Sequence, residues 1–151
     1  PNTPGQIGEG ITGFVFLNSP NQSEHRLVTN ILSSLGESFE LKSEEDIDRI
    51  TAISGSGPAY LFEFTCALEC AAKEIGLPEK LASKFALQTV TGASKLLANS
   101  GLHPEELRDQ VTSPKGTTQA ALESLEKNNL RKIVQDAVEA AKARSIELSN
   151  A

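Results

Sequence analysis

The spacing of hydrophobic residues divides the chain into two regions with different periods. Residues 11–17, ITGFVFL, are rich in β-branched and aromatic side chains and predict a strand. Apolar residues at helical spacing over 21–35 predict a helix, with Gly36 as a left-handed C-terminal cap. The alternation in 37–42, ESFELK, predicts a second strand. A strand–helix–strand segment over 1–42 is too small to bury its own core, so we expect it to be the trailing part of an α/β domain.

From Ser43 onward the pattern is helical throughout. The predicted helices are an acidic one after Ser43, one over about 58–75 that ends at Gly76, one from Pro78 to Gly101, a short one over HPEELRDQV, and two over about 118–127 and 129–149. The helix over 58–75 is apolar on more than one face, so it is predicted to be the most buried helix. Because a bundle of this size cannot cover all of that surface, we also expect a homodimer. The predicted fold class is mainly α, a helical bundle after a short β-α-β segment.

Composition and charge exclude several classes of protein. A net charge of −6 argues against nucleic-acid binding, which needs a basic face. The sequence contains no apolar run near the roughly 20 residues that a membrane span needs. Cys66 and Cys70 are interpreted as buried thiols of a reducing, cytoplasmic compartment rather than as metal ligands, and no metal site is expected. The chain begins with Pro1 and has no Met, so either an initiator Met was removed or the chain is a piece of a longer protein.

One glycine motif imitates a nucleotide site. Gly8, Gly10 and Gly13 match GxGxxG, but the dinucleotide fingerprint needs a strand before it and a helix after it. Here a short tail precedes the motif and a strand follows, so we interpret it as a turn that leads into the strand. The sequence also lacks a P-loop, a zinc-protease motif and a nucleophile–histidine arrangement.

Two segments of similar chemistry precede helices, SGSGPAY (54–60) and TSPKGTT (112–118). Each combines hydroxyls, glycine and proline, and such loops offer free N–H groups at the positive end of a helix dipole. Lys115 adds a positive charge. Helix capping and close helix packing would explain either loop alone, whereas two in one small domain favour a small anionic ligand, above all a carboxylate.

A linked set of motifs carries a family resemblance: SGSGPAY, then GLP between two helices, then HPEELRDQVTSPKGTT. Together they resemble the C-terminal part of pyrroline-5-carboxylate reductase over nearly the whole chain. The resemblance implies reduction of 1-pyrroline-5-carboxylate to L-proline, the last step of proline biosynthesis, with hydride from NADPH or NADH. It implies two parts: residues 1–42 end a Rossmann-like dinucleotide-binding domain, and 43–151 form an all-helical dimerisation and substrate-binding domain. It also implies interlocked homodimers that assemble into larger rings.

The same resemblance assigns roles to individual residues. Ser113, Gly116, Thr117 and Thr118 match the family's substrate-binding loop, and Thr118 is the catalytic candidate that reaches the ring nitrogen. Asn2 and Thr3 match a segment near the nicotinamide, and SGSGPAY matches a tight turn and close packing at the start of a central helix near the subunit interface. An imine that arrives protonated needs orientation more than acid–base catalysis, which agrees with the missing acid–base motifs.

Two departures from the family pattern affect the expected function. Lys115 replaces a glycine of the family's TSPGGTT; a positive φ there would strain the lysine by about 1 kcal/mol or more, whereas an ordinary φ would let it strengthen carboxylate binding. The family's N-terminal dinucleotide domain is missing, so this chain is expected to be a fragment that is inactive alone. The alternatives are a non-catalytic all-α homodimerisation module derived from the enzyme, and a helical bundle that binds another carboxylate.

Overall fold

The computed structural model describes residues 1–150 and confirms a mainly α protein that begins with a short β-α-β segment. A 3-10 helix, Thr3–Ile7, comes first, and a π-helix, Thr51–Gly55, joins α2 to α3. The other elements are β1 (Gly10–Phe14), α1 (Gln22–Ser33), β2 (Gly36–Glu40), α2 (Glu44–Ile50), α3 (Gly57–Glu74), α4 (Glu79–Ser100), α5 (Pro104–Gln110), α6 (Thr117–Lys127) and α7 (Leu130–Ser149). Within this range, each helix is too short or too polar to cross a bilayer.

Contacts within the chain group the residues into two compact units. One unit holds residues 1–61 and 135–150, and the other holds 62–134. The first therefore contains the strands, α1, α2, the π-helix and most of α7, while the second contains most of α3 together with α4 to α6. The domain boundary expected after residue 42 stays a prediction.

The two strands pair in parallel, and α1 makes the crossover between them. Gly10 lies opposite Gly36 and Phe14 opposite Glu40, and the last bond runs from the Leu41 N–H to the Phe14 carbonyl at 2.7 Å. Because β2 ends there, β1 stops at Phe14 rather than at residue 17 as predicted. The GxGxxG segment leads into the strand as predicted: the turn is confined to Gly8 and Glu9, after the 3-10 helix, and Gly10 and Gly13 already belong to β1.

The prediction that Gly36 caps α1 is wrong. Ser34 ends α1 with ordinary right-handed angles, and Gly36 instead opens β2 with a φ of 131°. An added Cβ at Gly36 would collide with the backbone of Gly10 in the paired strand. Glycine is needed at this position because the strands approach closely, and helix termination does not require it.

The prediction of a loop at SGSGPAY is also wrong. Ser54 and Gly55 belong to the π-helix, where the Ser56 N–H donates to the Thr51 carbonyl at 2.9 Å. The two glycines do not make a tight turn, since neither Gly55 nor Gly57 has a positive φ. Nor does packing within the described chain require them: a Cβ at Gly55 would meet atoms no closer than 3.5 Å, and one at Gly57 would meet none within 4 Å.

The core of the single chain is small. The buried hydrophobic residues of the described range are Ala52, Ala82 and Ala86, and the accessible surface is 11411 Å². A compact monomer of 16.1 kDa exposes about 7400 Å². The helix predicted to be the most buried, α3, has no buried residue within this chain, and its Phe62 side chain is 63% exposed. That expectation is therefore wrong for the chain taken alone.

Candidate substrate-binding site

The TSPKGTT segment forms a tight turn between α5 and α6. The Thr112 N–H donates to the Asp109 carbonyl at 3.1 Å, and the Thr112 hydroxyl donates to the Arg108 carbonyl at 2.6 Å. The Gly116 N–H closes the turn with a 3.0 Å bond to the Ser113 carbonyl. A Cβ at Gly116 would clash with the Ser113 hydroxyl, so glycine lets the turn fold back onto that serine.

The turn leads into the N-terminus of α6, where backbone donors remain available. The first helical bond of α6 runs from the Ala120 N–H to the Gly116 carbonyl at 3.2 Å. The N–H groups of Thr117, Thr118 and Gln119 precede that bond, and α6 receives no side-chain cap. These three donors lie at the positive end of the helix dipole, which favours an anion.

Three hydroxyls of the same segment are not used by the chain. Within residues 1–150, the hydroxyls of Ser113, Thr117 and Thr118 make no hydrogen bond. Ser113 and Thr117 are exposed, while Thr118 and Gly116 are half-buried. All four predicted substrate-binding residues thus lie in the turn or in the first two residues of α6, with hydroxyls and amides that can bind a carboxylate.

Lys115 adopts a left-handed conformation, with a φ of 61°. Of the two cases considered for this position, the strained one applies, because a lysine with positive φ costs about 1–2 kcal/mol. Its side chain is exposed and forms no ion pair within the described chain. Three of the four charged residues of α5 are paired instead: Arg108 with Asp109 at 2.7 Å and Glu105 with Arg131 at 2.6 Å. Arg131 lowers the pKa of the Glu105 carboxyl through this hydrogen bond.

Gln119 is a structural residue of the site that the sequence analysis missed. Its side-chain oxygen accepts from the Lys115 N–H at 2.7 Å, and its amide donates to the Glu123 carboxylate at 2.7 Å. Gln119 is the third residue of α6, where a Glu or Gln characteristically reaches back to the chain before the helix. That position was the signal that could have revealed its role.

The two residues expected near the cofactor lie in the other unit. Asn2 is half-buried and caps the 3-10 helix by position, while Thr3 is exposed in its first turn. The Asn2 side chain donates to the Ser54 carbonyl at 3.1 Å and accepts from the Ile11 N–H at 3.0 Å. Both ends of its amide are therefore engaged with the protein backbone.

Comparison with known families gives a match over most of the chain. Residues 44–148 match the family model described as pyrroline-5-carboxylate reductase dimerisation. The chain is 39% identical over 149 residues to the pyrroline-5-carboxylate reductase of Pseudomonas aeruginosa, covering 99% of this chain and 55% of that protein. It is 40% identical over 150 residues to that of Arabidopsis thaliana, covering 99% of this chain and 54% of that protein.

Solved structures of similar proteins share the fold. A pyrroline-5-carboxylate reductase from Coxiella burnetii superposes with a TM-score of 0.91 at 38% identity, covering 98% of this chain and 55% of that one. The Plasmodium falciparum pyrroline carboxylate reductase with NADP bound gives a TM-score of 0.82 at 39% identity, covering 96% and 59%. The chain thus spans about half the length of the curated relatives it matches.

Proposed function

Because the chain belongs to the pyrroline-5-carboxylate reductase family, we propose that it supplies the dimerisation and substrate-binding half of such a reductase. The reaction is the reduction of 1-pyrroline-5-carboxylate to L-proline, the last step of proline biosynthesis. The observation that carries this proposal is the TSPKGTT turn, where three unengaged hydroxyls adjoin three free N–H groups of α6. Cytoplasmic localisation remains a prediction.

The turn would bind the substrate through its carboxylate. The hydroxyls of Ser113 and Thr117 and the N–H groups at the start of α6 would donate hydrogen bonds to the carboxylate oxygens. A single anion at a helix N-terminus gains about 0.3–1 kcal/mol, and up to about 2 kcal/mol when partly buried. Gly116 allows the turn to approach Ser113 closely, and the Lys115 ammonium adds a positive charge beside the same turn.

Thr118 would orient the reacting bond. Its half-buried hydroxyl would accept a hydrogen bond from the protonated ring nitrogen, holding the C=N bond in one orientation. The nicotinamide cofactor, NADPH or NADH, supplies the hydride that adds to the ring carbon, while the C=N π electrons become the amine lone pair. Since the imine is already protonated, Thr118 acts by positioning and proton transfer is not required of it.

The cofactor would be held mainly by a dinucleotide domain. The remaining length of the relatives has no counterpart within these 151 residues, so we propose that the chain alone does not turn over. Asn2 has both ends of its amide engaged with backbone, and the exposed Thr3 is the more available of the two candidates for contact with the nicotinamide. Preference between NADPH and NADH would be set within the dinucleotide domain.

A second copy of the chain would cover the exposed helices. Each copy exposes about 4000 Å² more than a compact monomer of its mass, whereas obligate dimers bury about 2000–5000 Å² in total over both subunits, so the exposed surface is large enough for such an interface. The match to a dimerisation family over 44–148 includes α3 and α4, which carry much of that apolar surface. Assembly of such dimers into larger rings is a further part of the proposal.

A fusion protein tests the reaction directly. The part of the Pseudomonas aeruginosa reductase without a counterpart here would be joined ahead of Pro1, and NADPH oxidation measured with pyrroline-5-carboxylate. We expect turnover from the fusion protein and none from the 151-residue chain. Replacing Thr118 by Ala should lower kcat/KM by about 10- to 100-fold, whereas Thr118→Ser should retain most activity.

A matched control lies on the same helix. Ser124 is exposed in α6, so Ser124→Ala removes a hydroxyl from that helix away from its N-terminus and should leave kcat/KM unchanged. A folded fusion protein that binds NADPH but does not oxidise it with the imine would contradict the proposal. The non-catalytic dimerisation module would then be the better account.

A further inference from the structure

The peptide carbonyl of Ser54 lacks the donor that an α-helix would normally offer it. In an α-helix this carbonyl would accept from the residue four positions later, which here is Pro58, and proline has no N–H. The next N–H along the chain, that of Ala59, donates to the Ser56 carbonyl at 3.0 Å. The SGSGPAY sequence therefore creates a half-buried acceptor at the end of the π-helix, which needs a donor from elsewhere.

Asn2 supplies that donor from 52 positions away. Its Nδ2 lies 3.1 Å from the Ser54 carbonyl, and its Oδ1 accepts from the Ile11 N–H at 3.0 Å. Because the Gly10 N–H points toward β2 and donates to the Leu35 carbonyl, the Ile11 N–H points to the opposite edge of β1. A single side chain thus joins the open edge of the strand to the π-helix.

Two other carbonyls of the same stretch accept from nearby side chains. The Ser54 hydroxyl donates to the Ile50 carbonyl at 2.9 Å, and the Tyr60 hydroxyl donates to the Ala52 carbonyl at 3.0 Å. Both donors come from within ten residues of their acceptors, so these two bonds do not connect the stretch to a distant part of the chain. The Asn2 bond is the one of these three that ties the π-helix to another segment of the chain.

We propose that Asn2 is a positioning residue matched to Pro58: the proline removes the donor for the Ser54 carbonyl, and Asn2 replaces it. The bond holds the π-helix, and with it the start of α3, in a fixed position relative to the N-terminal segment. Its effect on turnover rests on the proposed function, in which the N-terminal segment lies near the nicotinamide. Asn2 then acts through the protein backbone rather than by contact with the cofactor.

Asn2→Asp isolates the bond to Ser54. Aspartate keeps the oxygen that accepts from the Ile11 N–H but replaces the donor with a second oxygen that faces the carbonyl. We expect the Ser56 amide, which closes the π-turn, to exchange with solvent about tenfold faster. The emission of Tyr60 should change as well, and it reports on this stretch alone because the chain has one Tyr and no Trp.

Asn128 offers a matched control. Its side-chain amide also donates to a backbone carbonyl, that of Ser124 at 2.8 Å, and it belongs to the other unit. Asn128→Asp introduces the same charge and removes the same kind of bond. Ser56 exchange and Tyr60 emission should both stay at their native values in this variant.

Restoring the missing N–H tests the pairing itself. Pro58→Ala gives the Ser54 carbonyl a helical donor, so adding Asn2→Asp to it should change Ser56 exchange by less than about twofold. The inference is overturned if Asn2→Asp leaves both exchange and emission native, or if its effect is equally large with Ala at position 58. It is also overturned if Asn2→Asp unfolds the chain and Pro58→Ala fails to restore folding.

The fusion protein separates positioning from cofactor contact. We expect Asn2→Asp to lower kcat about tenfold while KM for NADPH changes less than about twofold, with recovery of kcat in the Pro58→Ala background. A raised KM for NADPH with an unchanged kcat would contradict a positioning role for Asn2 and would indicate direct contact between Asn2 and the cofactor. A fusion protein without turnover would overturn the proposed function, while Ser56 exchange in the 151-residue chain still decides whether the bond holds the π-helix.

Discussion

The stretch around the π-helix, here called the junction, differs from helices α3 and α4 in how far its groups find partners within the chain. At the junction, side chains of Asn2, Ser54 and Tyr60 donate to backbone carbonyls, and the Ala52 side chain is 1% exposed. In α3 and α4, large apolar side chains such as Phe62 and Phe85 remain more than 60% exposed.

The difference shows which part of the fold the chain completes by itself. The backbone carbonyls of the junction accept hydrogen bonds from nearby side chains or, in one case, from the distant Asn2. A single chain can therefore form the junction. The apolar faces of α3 and α4 have no comparable cover within residues 1–150, and burying a large apolar side chain gains about 1.5–3 kcal/mol. A second copy is the partner that the family match favours for these faces.

The largest expected effect comes from placing a charge on the exposed apolar face. Phe85→Glu in α4 should weaken the dimer by about 3 kcal/mol or more per subunit, because a carboxylate would be buried where a phenyl ring was. Sedimentation equilibrium would measure the change. Gln88→Glu adds the same charge at an exposed polar position of α4 and should have a smaller effect. Equal dimer strength in the Phe85→Glu variant and the native chain would remove α4 from the interface.

The unit that contains the π-helix also contains a buried hydroxyl without a hydrogen-bond partner. Thr12 is 3% exposed in β1, and its hydroxyl has no hydrogen-bond partner within the described chain. Thr12→Val should therefore raise the free energy of unfolding by about 1 kcal/mol, measured by urea denaturation. The hydroxyl of Thr29 donates to the His25 carbonyl at 2.9 Å, so Thr29→Val should not stabilise the chain. A loss of stability in Thr12→Val would mean that the hydroxyl has a partner.

A smaller increase in stability is expected from removing the backbone strain at Lys115 in the TSPKGTT turn. Lys115→Gly removes left-handed strain of about 1–2 kcal/mol but adds unfolded-state entropy, for a net stabilisation of about 0.5–1 kcal/mol. Asn129 has a φ of 55°, and asparagine tolerates this conformation better than lysine. Thermal denaturation should therefore rank Lys115→Gly above Asn129→Gly. The reverse order would mean that the lysine is not strained.

The smallest expected effect concerns an exposed ion pair. Arg131 lowers the folded-state pKa of Glu105, so the pair stabilises the chain above the unfolded-state pKa of about 4.3, and this contribution is lost as the pH falls through the folded value. Arg131→Gln should remove only a small part of the stability at pH 7, since both side chains are at least half exposed. The difference from the native chain should shrink at acidic pH. A difference that grew on acidification would contradict the assignment.

Local signals in the sequence predicted the regular helices well. Pro78 and Gly101 bracket α4, which runs over Glu79–Ser100, and Pro104 opens α5. The four residues proposed to bind substrate also lie together at the start of α6, as the resemblance implied, because they fall within six consecutive residues. Their roles remain predictions.

The failures concern positions where a distant residue decides the local structure. SGSGPAY was predicted to be a loop because it combines hydroxyls, glycine and proline before a helix, but it continues from the π-helix into α3, and the Asn2 side chain, 52 positions away, donates to its Ser54 carbonyl. Gly36 was predicted to be a cap because it follows a helical pattern, whereas Gly10 in the paired strand determines its role. The burial of α3 was predicted from its apolar faces, which do not specify whether the same chain or a second copy covers them.

The mass of the native chain in solution tests the central claim most directly. If a second copy covers α3 and α4, sedimentation equilibrium at micromolar concentration should give about twice the chain mass of 16.1 kDa. Cys66 and Cys70 were interpreted as buried thiols, which is wrong for the single chain, where both are exposed. In the dimer they should react slowly with a thiol reagent, and they should react faster in Phe85→Glu. A stable, folded species of 16.1 kDa would contradict the claim that a second copy completes this fold.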